Sequence, residues 1–136
     1  MADKLTYDEL LENLSFLDDW EERYKYVLDL GKALSAFPEE NKNEAYLVKG
    51  CVSQVWLDYK VEDKTFIFIG DSDSHLVRGL IAILFVIYAD KTASEILETD
   101  FKAHFEEIGL SEHLTPQRSN GLFSMVQRIQ DIAASA

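Results

Sequence analysis

The chain has 136 residues, 25 acidic and 13 basic, giving a formal charge of −12. That balance repels phosphate backbones, and the lysines and arginines occur only singly or in isolated pairs, which argues against nucleic acid as a partner. The longest apolar run, Gly79 to Ala89, is about half of what a membrane span needs.

The start, Met1-Ala2-Asp3-Lys4, has neither the basic nor the apolar region of a secretion signal. One cysteine cannot form an intramolecular disulfide, so nothing asks for an oxidising compartment. A single domain over residues 1–136, in the cytoplasm, is the expectation. A chain of this length buries roughly two-thirds of its unfolded surface.

Thr6 and Glu9 have the spacing of a capping box and open a short helix with Leu10, Leu11 and Leu14 on one side. Asp18 or Asp19 starts a second helix. Its apolar positions, from Trp20 through Tyr24, Val27, Leu28, Gly31 and Leu34, recur every three or four residues to about Ala36, and Pro38 stops it. Residues 38–45 are polar and aperiodic, so they read as a loop. A short strand near Tyr46 to Val48 is expected beside a longer one over Val52 to Tyr59. A turn at Glu62-Asp63-Lys64 then leads to a returning strand, Thr65 to Ile69.

Ser72 or Asp73 should cap the next helix. It is apolar almost all round from Leu76 to Ala89, as a central buried helix would be, and Gly79 permits a close approach to another element. Asp90 or Thr92 starts a short helix, Asp100 another that ends at Gly109, and Thr115-Pro116 a last one to about Ala133. Two helices, about three antiparallel strands and further helices make an α+β fold, a small sheet packed on helices.

Cys51 is the first candidate for chemistry. A free cysteine commonly packs as a small hydrophobe, and that reading stays open. Its setting favours reactivity: Gly50 before it allows a left-handed turn, and the position joins a loop to a strand, where a scaffold displays functional side chains. Lys49 is placed to favour a thiolate, and an ordinary cysteine already has a nucleophilic fraction at neutral pH. With no second cysteine the chain cannot resolve a mixed disulfide on itself, nor supply the ligands of a structural zinc or iron–sulfur site. Anything loaded on Cys51 must be handed to another molecule.

The histidines are His75, His104 and His113. His113, beside the Thr115-Pro116 helix start, is the best candidate to partner the thiol, although spacing alone brings no two of these residues together. Asp71 and Asp73 resemble a fragment of a metal loop, but capping accounts for both carboxylates, and the glycine and glutamate of a calcium loop are missing. No Walker loop, dinucleotide fingerprint or nucleophile elbow is present.

Three segments together resemble the SufE family, which includes SufE and CsdE, the sulfur acceptors of cysteine desulfurases. They are Val48 to Trp56 around Cys51, Gly70-Asp71-Ser72-Asp73 with Val77-Arg78-Gly79-Leu80, and Leu114 to Leu122. The Trp20 to Tyr24 stretch is also similar, and the likeness spans essentially the whole chain in order. His75 stands where the family usually has a small residue. The resemblance implies a SufE/NifU-like fold. It further implies that Cys51 accepts a sulfane sulfur as a persulfide, stimulates the desulfurase and passes the sulfur to an iron–sulfur scaffold or another acceptor.

On that reading Gly50, Asp73, Arg118 and His113 support the cysteine or touch the partner. The chain itself carries no cofactor or metal, pyridoxal phosphate belonging to the desulfurase, and it is a carrier rather than a stand-alone enzyme. Two other readings are a non-covalent regulator of a desulfurase with Cys51 merely packed, and a peroxide-sensing thiol. The pathway, the final acceptor and the choice of monomer or homodimer stay open.

Overall fold

The computed structural model describes residues 5–50, 53–110 and 113–135. Six helices and two strands follow in the order α1 (Tyr7–Ser15), α2 (Trp20–Lys32), β1 (Val55–Glu62), β2 (Thr65–Ser72), α3 (His75–Tyr88), α4 (Ala93–Glu98), α5 (Phe101–Ile108) and α6 (Pro116–Ala134), with a 3-10 turn at Glu39–Asn41. The architecture is α+β.

Local chemistry explains most helix starts. Thr6 and Thr92 each head a full capping box, closed by Glu9 and Glu95. Asp19, Asp100 and Thr115 accept hydrogen bonds from the third residue of their helices, and Pro116 occupies the first turn of α6, where its missing N–H costs nothing. Hydrogen bonds from the Thr92 backbone and side chain hold the Glu95 carboxyl below its ordinary range. Gly109 closes α5 in the left-handed conformation, φ 83°.

Three expectations need correction. The α2 helix ends at Lys32 rather than near Ala36, because Ala33 and Leu34 bond three residues back, to the carbonyls of Leu30 and Gly31, and the last turn tightens before Pro38 is reached. The cap of α3 is Ser74, not Ser72 or Asp73. Ser74 Oγ accepts from Val77 N–H, while the Asp73 carboxylate turns away to Gln54.

The sheet, finally, has two strands rather than three among the described residues. The segment expected as a strand at Tyr46 to Val48 makes a single bridge, Leu47 to Trp56. It is caught between a turn closed by Tyr46 N–H on Asn43 O and the left-handed Gly50, and three residues are too few to propagate a ladder.

β1 and β2 pair antiparallel in unbroken register from Val55 opposite Ser72 to Glu62 opposite Thr65. Only Asp63 and Lys64 connect them, both at positive φ (50° and 68°), the backbone that a two-residue hairpin turn requires. The core-facing residues of β2, Phe66, Phe68, Gly70 and Ser72, are buried in strict alternation. They face α3, which buries nine of its 14 residues. Each large aliphatic side chain among those contributes about 1.5–3 kcal/mol over leaving it exposed.

The close approach expected at Gly79 is present. A methyl there would collide with the Val27 carbonyl, and one on Gly31 would stand 2.6 Å from Gly79 N, so α2 and α3 touch through their glycines. Tyr88, 0% exposed, completes this core; its hydroxyl has no hydrogen-bond partner, and burial pushes the phenol up to about 12.

Candidate functional site

Cys51 and Val52 lie outside the described residues. The frame on both sides of them is described. Val48 N–H donates to Val55 O (2.8 Å) and Leu57 N–H to Tyr46 O (2.9 Å), so residues 49–54 span a hairpin loop closed at its base. On the entering side Gly50 has φ 95°, and a methyl placed on it would stand 2.5 Å from Ser124 Oγ on α6. Only glycine satisfies both the backbone sign and the contact. On the leaving side Gln54 N–H donates to Asp73 Oδ1 (3.1 Å) and Asp73 N–H returns a bond to Gln54 O (3.3 Å). Asp73, expected as a helix cap, instead latches the start of the strand that follows the cysteine.

Below this loop is a cavity of about 190 Å³. Ser53 contributes from the loop, Val77 and Leu80 from α3, and Arg118, Leu122 and Met125 from α6. Its walls are mostly aliphatic, with Arg118, Gln117 and the cap residue Thr115 at one end. The structure therefore brings Gly50, Asp73 and Arg118 around one loop, although they are far apart in sequence. His113 is placed differently. Its ring stacks on Trp20, with centroids 4.3 Å apart and planes 10° apart, joining the approach to α6 to the start of α2. His75 is in the first turn of α3, exposed, and His104 meets Tyr7 edge-on at 4.7 Å.

A charged network braces the strand ends. Asp71 Oδ2 is 3.2 Å from Lys42 Nζ, which also bonds Glu39 at 2.9 Å and lies 5.6 Å above the Trp56 ring. The hydrogen bond to Glu39, and then that to Asp71, raises the Lys42 pKa. Arg78 Nε sits 3.0 Å from Asp71 Oδ1, yet the N–H is out of line for a hydrogen bond and finds no acceptor. We read that pair as a charge contact, since the distance is short but the direction is wrong.

Sequence reasoning did not find Ser124, Ser53 or the Lys42–Asp71–Arg78 bracing. The Gly70-Asp71-Ser72-Asp73 motif contained one member of that bracing, while nothing local marks Ser124 as the neighbour of Gly50. Among the described residues no group of three or more His, Cys, Asp or Glu is placed to hold a metal ion, and no helix there is long and apolar enough to cross a membrane.

The chain belongs to the SufE family: residues 8–133 match its Fe-S metabolism associated domain. It is 47% identical over 130 residues to an uncharacterized SufE-like protein of Rhizobium meliloti, covering 93% of both chains. It is 49% identical over 130 residues to an uncharacterized SufE-like protein of Rhizobium etli, covering 93% of this chain and 88% of that one. The fold is shared with the solution structure of a hypothetical protein from Thermus thermophilus, with TM-score 0.77 and 20% identity over 96% of this chain and 94% of that one.

Proposed function

We propose that this protein accepts sulfane sulfur from a cysteine desulfurase on Cys51, carries it as a persulfide and delivers it to an acceptor in iron–sulfur metabolism. The observation that supports this most is the frame around the cysteine. The frame is closed at the base by the Val48–Val55 hydrogen bond, latched by Asp73 on Gln54, turned at Gly50 close against Ser124, and Ser53 lines a cavity with Arg118.

The transfer is a thiol exchange without net oxidation. The Cys51 thiolate attacks the outer sulfur of the donor persulfide, a new S–S bond forms on Cys51, the donor S–S bond breaks, and the donor thiolate leaves. Delivery repeats the step, with an acceptor thiolate attacking the outer sulfur and the Cys51 thiolate leaving. The chain itself needs no cofactor for either step; the pyridoxal phosphate that frees sulfur from cysteine belongs to the desulfurase. Gly50 supplies the turn, Asp73 latches the following strand, Arg118 flanks the cavity with a positive charge that suits a persulfide anion, and His113 stiffens the approach to α6 through Trp20.

Desulfurase turnover of L-cysteine tests this. The wild-type chain raises the rate, and Cys51→Ala abolishes the increase. Full stimulation by Cys51→Ala would mean a non-covalent regulator in which the cysteine is packing. Fast sulfenic acid formation on Cys51 with peroxide, and no effect on any desulfurase, would make it a sensing thiol instead.

A further inference from the structure

A second feature lies on the far edge of β2. Leu57 N–H points to Tyr46 O, away from β2, so Leu57 and its partner Gly70 are a pair without mutual hydrogen bonds. Tyr59 and Phe68 share that parity. The N–H and C=O groups of Phe68 and Gly70 therefore point away from β1, as Phe66 N–H does where it donates to Lys91 O (2.9 Å). Beyond Phe66 that edge meets no backbone partner among the described residues. Both residues are nevertheless buried, Phe68 at 8% exposed, so their outward groups face a groove rather than open water.

That groove holds about 490 Å³. Its floor is α3, through Ala82, Phe85 and Val86, and its opposite wall is the end of α2 and the turn after it, through Leu30 and Leu34. Among the described residues no lysine or arginine lines it, and Asp90 is the one charged lining residue, within a chain of net charge −12.

We propose that this groove is a docking slot for an extended, basic peptide segment of a partner protein, which adds as a strand to the edge of β2. A helix would satisfy its own backbone and leave the groups of Phe68 and Gly70 unpaired, whereas a strand pairs with all four. Strand alternation then sends every second side chain onto the apolar floor and the others outward, where lysine or arginine complements a chain of net charge −12. A second copy of this chain, also at −12, is disfavoured on charge. The slot is distinct from the Cys51 loop, so its occupant docks without covering the cavity beside Ser53 and Arg118.

The probe is the acetylated, amidated peptide Val-Lys-Val-Lys-Val-Lys, titrated into the full chain with amide hydrogen exchange followed by NMR. At ten times its dissociation constant it slows exchange of the Phe68 and Gly70 amides about tenfold. The same peptide N-methylated at its edge-facing residues gives no slowing, and Leu34→Lys, which puts a cation on the wall, abolishes binding. Absence of binding, or binding without slowing at these two amides, overturns the proposal. So does slowing that is already present without peptide. If it grows with protein concentration the occupant is a second copy, and if it does not the chain covers its own edge.

Discussion

Strand β1 has two neighbours, and they are built differently. Toward β2 it has eight paired positions closed by a two-residue turn. Toward residues 46–48 it has one bridge and two backbone hydrogen bonds, closed by the six-residue loop that contains Cys51. The β2 side is fixed by many mutually reinforcing bonds and by the α3 core beneath. Among the described residues the cysteine side is fixed at its base and by the Gln54–Asp73 hydrogen bonds, with Gly50 set close against Ser124. The platform thus carries many mutually reinforcing bonds, whereas a hydrogen bond such as that from Gln54 to Asp73 contributes about 1 kcal/mol.

The sharpest way to break the contrast is Gly50→Ala. A left-handed L-residue costs about 1–2 kcal/mol, and the methyl also strikes Ser124. Stability in urea falls by about 2 kcal/mol, and sulfur acceptance falls more than that loss explains. Adding Ser124→Gly relieves the collision but not the backbone, so recovery is partial. Asp73→Ala removes one tie and costs about 1 kcal/mol. Its signature is faster amide exchange at Gln54 with no change at Ile67 or Ile69, which lie deep in the β1–β2 ladder.

On the rigid side, replacing Asp63 and Lys64 by Asn and Gly suits the positive-φ turn better and adds about 1 kcal/mol. The urea midpoint rises with unchanged slope, and sulfur acceptance stays as it was. The smallest effect is at Glu95, whose carboxyl is held below its ordinary range by Thr92. A depressed folded pKa contributes stability above the ordinary carboxylate pKa, and that contribution disappears as pH falls through the depressed value. Glu95→Gln therefore flattens the acid limb of the stability curve slightly, and moves neither the Gln54 amide nor sulfur acceptance.

Legibility in the sequence followed the range of the interactions. Thr6, Asp19, Thr92, Asp100 and Thr115 bond residues three positions on, so Thr6, Asp100 and Thr115 could be read directly and Asp19 and Thr92 each as one of two neighbouring candidates. The apolar run of α3 and the turn at Glu62-Asp63-Lys64 between two strands were equally local. The α3 cap was not, because Ser72, Asp73 and Ser74 are all competent and the choice turns on Asp73 reaching back to Gln54. The third strand failed because a left-handed glycine and a turn bracket it.

At the site, the residue types around Cys51, Asp73 and Arg118 were readable as motifs. The cavity that Arg118 shares with Ser53 was not, and neither were the Asp73 latch on Gln54 and the stack of His113 on Trp20, which close long separations in sequence. The β2 groove left no sequence signal, since its residues read simply as core.

On the function proposed above, Cys51 loads and releases sulfur. The most direct test is the intact mass of the protein after incubation with a cysteine desulfurase and L-cysteine, with Cys51→Ser alongside. The account predicts a gain of one sulfur atom, removed by reductant, on the wild type and none on the variant. An unchanged mass on the wild type while desulfurase turnover accelerates would contradict it, and would make the chain a binding-only regulator.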